Sequence, residues 1–337
     1  MDDFEKATTF DALYKALRAC RQGVMWKDST ARYAADALKE TYKLRREILD
    51  GTYRIRPYTH FIVTDPKRRE VMATNIRDRQ YQRALCDSYL YEQITHGFIR
   101  DNFACQKGRG VDDALDRMDA HLHRYYRHHG AAGWVLKCDI RSYFASTSHE
   151  VAKAAVAKRV PDERVCRAVY DIIDSFGETG IGLGSQISQL IELAVLDDLD
   201  HYIKEKLQVR HYLRYMDDFI LIHQDREYLA HCLEQIRSKL SGIGLELNDK
   251  TALFPLSHGI KWLQWRFLLT ETGKVIRRMG RKNITRERRR LNNMHRKGLP
   301  RTVAEESLRS WKAGAERGNT RGAVIRMKTY LDALYPE

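Results

Sequence analysis

Cysteine and proline are sparse in this chain of 337 residues, with six of each. The cysteines form no CxxC pair and have no histidine-rich neighbourhood, so the sequence predicts neither a zinc site nor a disulfide framework. No apolar run approaches membrane-spanning length, and the N-terminus, MDDFEKATTF, is acidic where a secretory signal would be basic and then apolar. These absences favour a cytoplasmic protein with reduced thiols and no membrane partner.

Low-complexity segments and internal repeats are also missing, while 43% hydrophobic residues are enough for a packed core. The net charge of +14 is distributed unevenly. Between Lys274 and Lys328 there are 18 Lys and Arg residues and four Glu residues, an excess of 14 that equals the excess of the whole chain. Such concentrated charge favours nucleic acid as a partner. A solvated helical tail or a surface for an acidic protein is the alternative.

Hydrophobic periodicity divides the chain into a helical start, a mixed middle, an α+β core and a basic helical tail. The shorter elements predicted within this order are a strand pair over 52–63 with a turn at 65–66, a buried strand over 134–140, one long helix over 186–207, a strand–turn–strand over 209–223, a helix over 226–241, and two strands over 258–277. The order predicts several packed units around a central sheet.

Two acidic sites, 78 residues apart, are the candidates for chemistry. Residues 215–218 (YMDD) place adjacent carboxylates before a β-prone run, which predicts a hairpin turn whose like charges a divalent cation would relieve. A solvated turn would explain that pair alone. Asp139, however, ends a buried strand, where an unpaired charge is costly. If both sites meet at one sheet edge, their oxygens would hold two Mg²⁺ ions, or Mn²⁺ in their place, for phosphoryl transfer.

Several motifs, in matching order and spacing, resemble those of reverse transcriptases. Residues 215–218 resemble the YxDD box, and residues 139–144 (DIRSYF) resemble the box in which an aromatic follows the first metal ligand by five residues. Further matches, which extend the resemblance over roughly residues 50–320, are 65–69 (DPKRR), 77–82 (RDRQYQ), 102–110 (NFACQKGRG) and 248–251 (NDKT). The resemblance implies an RNA-directed DNA polymerase.

The resemblance also implies a fold: an α+β right-hand polymerase with fingers, palm and thumb. On this basis residues 1–50 form an N-terminal helical segment and residues 51–130 the fingers. Residues 131–275 form the palm, an antiparallel sheet with helices, in which the helices of 150–180 lie between fingers and palm. Residues 276–337 form a basic helical thumb.

Carried over residue by residue, the resemblance makes Asp139, Asp217 and Asp218 the catalytic residues. The same three carboxylates, with the backbone carbonyl of Ile140, would be the metal ligands. The residues implied to bind the incoming deoxynucleotide are Lys67, Arg69, Phe144, Gln189 and Lys250. Phe144 would lie beneath the sugar and exclude a 2′-hydroxyl, and core packing is its alternative role. The cations would hold the triphosphate, because point charge and guanidinium geometry suit phosphate oxygens.

A third set of residues is implied to contact the template and primer. Its members are Arg79, Arg109, Gly184, Trp265, Arg288, Arg289 and Arg290. Arg79 has a structural alternative, pairing with Asp78 or with the core of the fingers. Trp265 belongs to residues 257–267 (SHGIKWLQWRF), which resemble the primer-grip hairpin, although Gln264 and Trp265 replace the usual Gly-Tyr or Gly-Phe. The three arginines would lie along a phosphate backbone without reading sequence.

Residues 182–189 (GLGSQISQ) resemble the GxxxSQ box of reverse transcriptases from diversity-generating retroelements. Residues 310–320 resemble a thumb segment, SWxGHxxxGNT, with Ala315 in place of the histidine. This subtype implies copying of a template-repeat RNA with errors at adenines, and a small basic accessory protein that forms a pentameric helical barrel. No maturase, endonuclease or RNase H segment is expected.

Three other functions remain open. Anti-phage defence-associated reverse transcriptases, which would bring a structured non-coding RNA as partner, share the same features. A non-catalytic RNA-binding scaffold is disfavoured because all three carboxylates are present, and a two-metal nuclease has no evident use for the fingers cations.

Overall fold

The computed structural model describes residues 3–64 and 68–336. The chain begins with four helices, in agreement with the predicted helical segment: α1 (Asp3–Ala7), α2 (Phe10–Cys20), α3 (Asp28–Ala35) and α4 (Ala37–Leu49). The hydroxyl of Thr9 accepts a hydrogen bond from the backbone N–H of Ala12 and so caps α2. Gly51, in the left-handed region at φ +68°, follows α4 and ends this helical segment.

The next region contains a two-stranded antiparallel sheet and three helices. Its elements are β1 (Thr59–Val63), β2 (Arg69–Ala73), α5 (Ile76–Leu85), α6 (Tyr91–Thr95) and α7 (Val111–His129), with a π-helical turn over Cys86–Leu90 joining α5 to α6. The predicted strand pair is therefore present, but its first strand, β1, is shorter than the predicted range 52–63. Its partner, β2, follows it in the sequence. The predicted turn at 65–66 lies outside the described residues.

The central region contains a four-stranded antiparallel sheet in the order β4-β5-β3-β6. Its strands are β3 (Trp134–Asp139), β4 (His211–Tyr215), β5 (Asp218–His223) and β6 (Ala252–Pro255). Its helices are α8 (Tyr143–Ser146), α9 (His149–Ala157), α10 (Glu163–Asp174), α11 (Gln186–Val195), α12 (Asp197–His201) and α13 (Arg226–Ser241). The single long helix predicted over 186–207 is wrong, because the segment breaks at Leu196 and becomes π-helical over Tyr202–Lys206.

A second antiparallel sheet, β7 (Ile260–Trp262), β8 (Trp265–Leu269) and β9 (Val275–Met279), follows, with one strand more than predicted. The turn between β7 and β8 places Leu263 and Gln264 at φ +47° and +70°. This two-residue turn normally takes Asn or Gly, because both central residues need positive φ. The chain ends in α14 (Arg281–Arg296), α15 (Arg301–Ala315) and α16 (Arg321–Leu334), which agrees with the predicted helical tail.

Alternation along the strands places a core on each face of the four-stranded sheet. On one face, Leu136, Cys138 and Leu221 pack with α13. On the other, Val135 and Ile220 pack with α7 and the second sheet. By the same alternation, the odd-numbered side chains of β3 and the even-numbered side chains of β5 lie on the face that points towards the second sheet. This face includes the end of the strand pair at the hairpin turn. In the described part of the chain, no helix is long and apolar enough to span a bilayer.

Candidate active site

The three predicted acidic residues meet at one edge of the four-stranded sheet. Asp139, the last residue of β3, pairs directly with Asp218, the first residue of β5. The backbone N–H of Ile140 donates to the carbonyl of Asp217 at 3.2 Å. Met216 is in the left-handed region at φ +56°, so the turn from β4 to β5 is tight. Residues 78 positions apart in the sequence are therefore neighbours here.

A fully buried ion pair supports this turn from behind. The Arg214 guanidinium makes two hydrogen bonds to the Asp200 carboxylate, at 2.7 and 2.6 Å, and neither side chain is exposed. Its third nitrogen donates to the carbonyl of Met216 at 3.1 Å, and the Tyr212 hydroxyl donates to Asp200 at 2.6 Å. Because a bidentate pair has one geometry, it positions the turn that carries Asp217. Sequence reasoning did not identify this brace, since nothing local marks the role of Arg214.

Asp139 is held by the segment before β6. The backbone N–H of Asn248 donates to the carbonyl of Asp139 at 2.8 Å, and the Asn248 amide donates to its carboxylate. Leu247 forms an isolated bridge with Ile140, which extends the pairing by one residue. The resemblance of residues 248–251 assigned a role to Lys250 only. The asparagine of the same motif is the residue that contacts the carboxylate.

Asp218 is paired with a lysine that sequence reasoning also missed. The Lys137 ammonium donates to one oxygen of Asp218 at 3.1 Å and to the carbonyl of Lys261 on β7 at 2.8 Å. Burial raises the pKa of Asp218 to about 6 although the nearby Lys137 charge lowers it. The strand period was the available signal, because positions 137 and 139 of β3 share one face. Lys137 thus links the carboxylate edge to the second sheet.

The site fits divalent cations by the chemistry of its donors. The second oxygen of Asp218 is buried and has no hydrogen-bond partner, which leaves an acceptor for a cation. Among residues 3–64 and 68–336, no three His, Cys, Asp or Glu side chains already form a metal-binding group. Carboxylate oxygens are nevertheless the ligands that hard cations prefer. One oxygen of Asp218 already accepts a hydrogen bond from the Lys137 ammonium. Asp139, Asp217 and Asp218 are the residues that would hold metal.

Phe144 lies in α8, five residues after Asp139, and is half-buried. Its ring stands edge-to-face with Tyr143, with centroids 6.0 Å apart. Its carbonyl accepts a hydrogen bond from the N–H of Ile181 at 2.6 Å, and Gly180, at φ +83°, brings the backbone close to this carbonyl. The backbone of Phe144 is therefore fixed, while its ring is partly packed against the core and partly accessible.

Gly184 and Gln189 lie at the entrance and within the first turns of α11. Gly184, at φ +132°, packs against β2, where an added Cβ would lie 2.9 Å from Val71. The carbonyl of Leu183 accepts from the N–H of Met72 at 3.0 Å. Gly184 was expected to let the backbone approach nucleotide and template, whereas the approach that the structure contains is to β2. The Gln189 amide oxygen accepts from the Cys105 thiol at 3.2 Å.

Two of the remaining predicted nucleotide contacts, Arg69 and Lys250, are surface cations. Arg69 is exposed at the start of β2, opposite Val63. Lys250 is exposed just after Asn248. Lys67 lies outside the described residues. The structure thus places Lys250 beside the carboxylate edge and Arg69 on the two-stranded sheet.

The side chains of Arg79 and Arg109 donate hydrogen bonds to backbone carbonyls. Arg79 donates to the carbonyl of Thr74 at 3.1 Å, and the proposed pairing with Asp78 is wrong, because Asp78 pairs with the buried Arg77 at 3.0 Å. The Arg109 guanidinium donates to three loop carbonyls, those of Ile99 at 3.5 Å, Arg100 at 3.3 Å and Asn102 at 3.2 Å. These contacts order the loop between α6 and α7.

A cavity of about 850 Å³ lies between the β7–β8 turn and the helices α14 and α15. The side chains that α14 and its C-cap residue contribute recur at helical spacing: Asn283, Arg286, Glu287, Arg289, Arg290, Asn293, Met294 and Lys297. Trp265 also borders the cavity but is only 6% exposed, because it packs against Gly318, where any Cβ would overlap its ring. We call this cavity the thumb cleft.

Two of the three predicted thumb arginines, Arg289 and Arg290, border the thumb cleft. Arg288 turns instead towards α16, with its guanidinium carbon 4.4 Å from the centre of the Tyr330 ring. Arg286, one turn earlier, borders the cleft and was not among the assigned residues. Helical periodicity was the signal, since positions 286, 289 and 290 share a face and 288 does not.

Comparison with known proteins identifies a family and a relative of this chain. The family model for reverse transcriptase (RNA-dependent DNA polymerase) matches residues 64–267. Protein YkfC of Escherichia coli (strain K12) is 25% identical to this chain over 67% of it and 70% of the relative.

Solved structures resemble the fold. Telomerase from Candida albicans, in complex with a fragment of telomeric RNA, has a TM-score of 0.56 at 12% identity over 84% of this chain and 55% of that one. Apo telomerase from Candida tropicalis has a TM-score of 0.52 at 11% identity over 66% and 47%. The chain thus spans about half the length of these telomerases. At such identities the similarity concerns the fold alone, and it confirms the predicted α+β right-hand polymerase architecture.

Since the matched family model covers more than half of the chain, including the carboxylate edge, the chain belongs to the reverse transcriptase family of RNA-dependent DNA polymerases.

Proposed function

We propose that this chain copies an RNA template into cDNA by nucleotidyl transfer at the edge formed by Asp139, Asp217 and Asp218. The observation that carries the proposal is the strand register, which pairs Asp139 with Asp218 and leaves an unpartnered buried oxygen on the latter. Arg214, Asn248 and Lys137 act as positioning residues, because each donates to the carboxylates or to the turn that carries them.

Two divalent ions, Mg²⁺ with Mn²⁺ as a substitute, would activate the 3′-hydroxyl and stabilise the leaving pyrophosphate. Asp139, Asp217 and Asp218 would hold them, with the carbonyl of Ile140 as a further ligand. Phe144 would pack under the sugar of the deoxynucleotide, and the Gln189 amide would donate to the same nucleotide. Lys67, Arg69 and Lys250 would balance the triphosphate charge. Arg289 and Arg290 would hold the duplex phosphates in the thumb cleft.

We assign fingers, palm and thumb to 51–130, 131–275 and 276–337, after an N-terminal segment of 1–50. Within the family, a diversity-generating retroelement is the proposed setting, supported by the GxxxSQ pattern of residues 182–189. The template would then be a template-repeat RNA copied with errors at adenines, with a small basic accessory protein as partner. Anti-phage defence with a structured non-coding RNA is the second candidate, because it shares the same pattern.

The polymerase proposal is tested by primer extension with purified protein, Mg²⁺ or Mn²⁺, dNTPs and primed RNA. We expect extension by the parent and none by Asp217→Asn/Asp218→Asn, with template–primer affinity retained. Glu234→Gln is the matched control, because Glu234 is exposed on α13 and its surface pair with Arg237 contributes little. Equal extension by the parent and the double variant would refute the assignment of the carboxylates, and cleavage in place of extension would indicate a nuclease.

The proposed setting is tested by the DNA that flanks the coding sequence. A near-duplicate pair of repeats that differ at adenines is expected for a diversity-generating retroelement. A structured RNA gene within a defence cluster would favour the second candidate instead.

A further inference from the structure

A second basic cavity, of about 570 Å³, opens on the side of the palm away from the carboxylates. Its lining comes from α7, from the π-helical turn Tyr202–Lys206 and from the loop before β4. The charged side chains are Asp101, Arg117, Arg124, Lys204 and Arg210. The cavity lies at the His211 end of β4, whereas the carboxylates follow its other end. We call it the rear pocket.

The only carboxylate among the described lining residues is fully used. One oxygen of Asp101 accepts from Arg117 at 2.6 Å and from His121 at 3.1 Å, and the other accepts from Lys204 at 2.7 Å. Asp101 is 5% exposed. One negative charge therefore faces two permanent cations in the floor of the pocket. Its backbone is fixed as well, because its carbonyl accepts from the N–H of Arg214 in β4.

Two further cations carry charge that the floor does not balance. Within residues 3–64 and 68–336, the guanidinium groups of Arg124 and Arg210 form no hydrogen bond or ion pair. The histidines are not expected to add to this excess, since burial lowers the pKa of His121 and lowers that of His211 to about 3. The lining thus combines four cations with one anion.

We propose that the rear pocket binds a backbone phosphate of an RNA strand that continues outside the thumb cleft. Guanidinium forks match phosphate oxygens, and because the one carboxylate of the floor is already paired, Arg124 and Arg210 remain available to an anion. The described lining contains no Phe, Tyr or Trp on which a base could stack, so the contact would be independent of sequence. Naming RNA rests on the proposed function, whereas the phosphate chemistry does not.

The test compares two fluorescent probes by anisotropy across a KCl titration. One is a short primed RNA duplex, and the other is the same duplex with a long single-stranded RNA extension. Arg124→Glu/Arg210→Glu should weaken binding of the extended probe by at least about tenfold, the loss expected for a charged hydrogen bond. The slope of log affinity against log salt should fall by about 0.7, because one single-strand phosphate contact is lost. Binding of the short probe should not change.

The matched control is Arg127→Glu, because Arg127 is exposed on the same helix as Arg124 but does not line the pocket. It should leave both probes unaffected. Arg124→Gln/Arg210→Gln should give a smaller loss in the same direction, which separates charge from misfolding. An equal loss of affinity for a probe with a DNA extension would still support the site, since RNA and DNA share the backbone phosphate.

The inference is overturned if the extended probe binds the charge-reversed variant as tightly and with the same slope. It is also overturned if Arg127→Glu causes an equal loss, or if an acidic peptide is the only probe whose binding the variant loses. Extension of the short duplex by the parent protein is scored separately. Its failure would count against the proposed polymerase and leave the phosphate measurement intact.

Discussion

The carboxylate edge and the thumb cleft use charge in opposite ways. At the edge, the supporting charges are buried and paired: Arg214 and Asp200 are completely buried, and Lys137 and Asn248 donate to the acids themselves. In the cleft, Arg289 and Arg290 are exposed on one face of α14, whose buried positions include Leu291. The first arrangement positions atoms, and the second attracts a polyanion.

The difference follows from the local dielectric. A buried ion pair interacts strongly but only in one geometry, so it fixes a turn. Solvated charges interact weakly with one another and are screened by salt, so they remain free to exchange counterions for phosphates. A substitution at the edge should therefore change stability and chemistry, and one in the cleft should change affinity and its salt dependence.

The largest effect should come from breaking the buried pair. Arg214→Met leaves the Asp200 carboxylate uncompensated, so the free energy of unfolding should fall by about 3–5 kcal/mol. Urea denaturation measures this. Arg214→Met/Asp200→Leu removes both charges and should recover part of the loss, although extension stays impaired because Met216 loses its donor. A double variant as unstable as the single one would show that pairing is not the cause.

The cleft is tested next. Arg289→Gln/Arg290→Gln should reduce template–primer affinity by about tenfold or more and the salt slope by about 1.8, because two duplex phosphates lose their cations. Anisotropy over a salt series measures both quantities. The free energy of unfolding and the extension rate at saturating duplex should stay near the parent values. A stability loss like that of Arg214→Met would remove the contrast between the two regions.

A third effect concerns pH and a buried acid behind the edge. Burial raises the pKa of Glu192 from its usual 4.5 to about 8. The Thr147 hydroxyl lies 3.0 Å from this carboxyl and 3.1 Å from the Tyr143 carbonyl, so one hydroxyl proton serves both only if Glu192 is protonated. Between pH 4.5 and about 8, Glu192 therefore binds a proton in the native state that it lacks in the unfolded state. Stability should therefore fall as pH rises, by about 1.4 kcal/mol per pH unit at most.

Glu192→Gln should flatten that dependence between pH 5 and 8, measured by denaturation in EDTA so that no bound cation contributes. Parallel curves for the parent and the variant would mean that Glu192 is ionised in the native state.

The smallest effect should be that of Arg288→Gln, the control for the cleft. Arg288 packs on Tyr330, and a contact of this kind is worth about 0.5–1 kcal/mol at an exposed site. Thermal unfolding should show this modest loss, with an unchanged salt slope for template–primer binding. A slope reduced as much as in an Arg289→Gln variant would place Arg288 on the duplex.

The sequence was sufficient to predict structure where the residues that carry the chemistry lie within a clear local strand or turn pattern. The short apolar run of β3 and the acidic turn before β5 predicted a strand and a hairpin, and motif spacing indicated the family that the comparisons then showed. The long helix expected over 186–207 failed, because apolar periodicity continues through Leu196 although the backbone does not. The pairing of Arg79 with Asp78 also failed, because Asp78 pairs with Arg77 on its other side in the sequence.

By itself the amino-acid order determined the carboxylates, the family and the surplus of positive charge at the C-terminus, because these depend on residue identity and spacing along one strand or helix. Only the tertiary structure decided which neutral or charged groups hold the acids, which face of α14 borders the cleft, and that four cations gather around Asp101. Those contacts join segments far apart in the chain, and their energies depend on burial, which no local pattern contains.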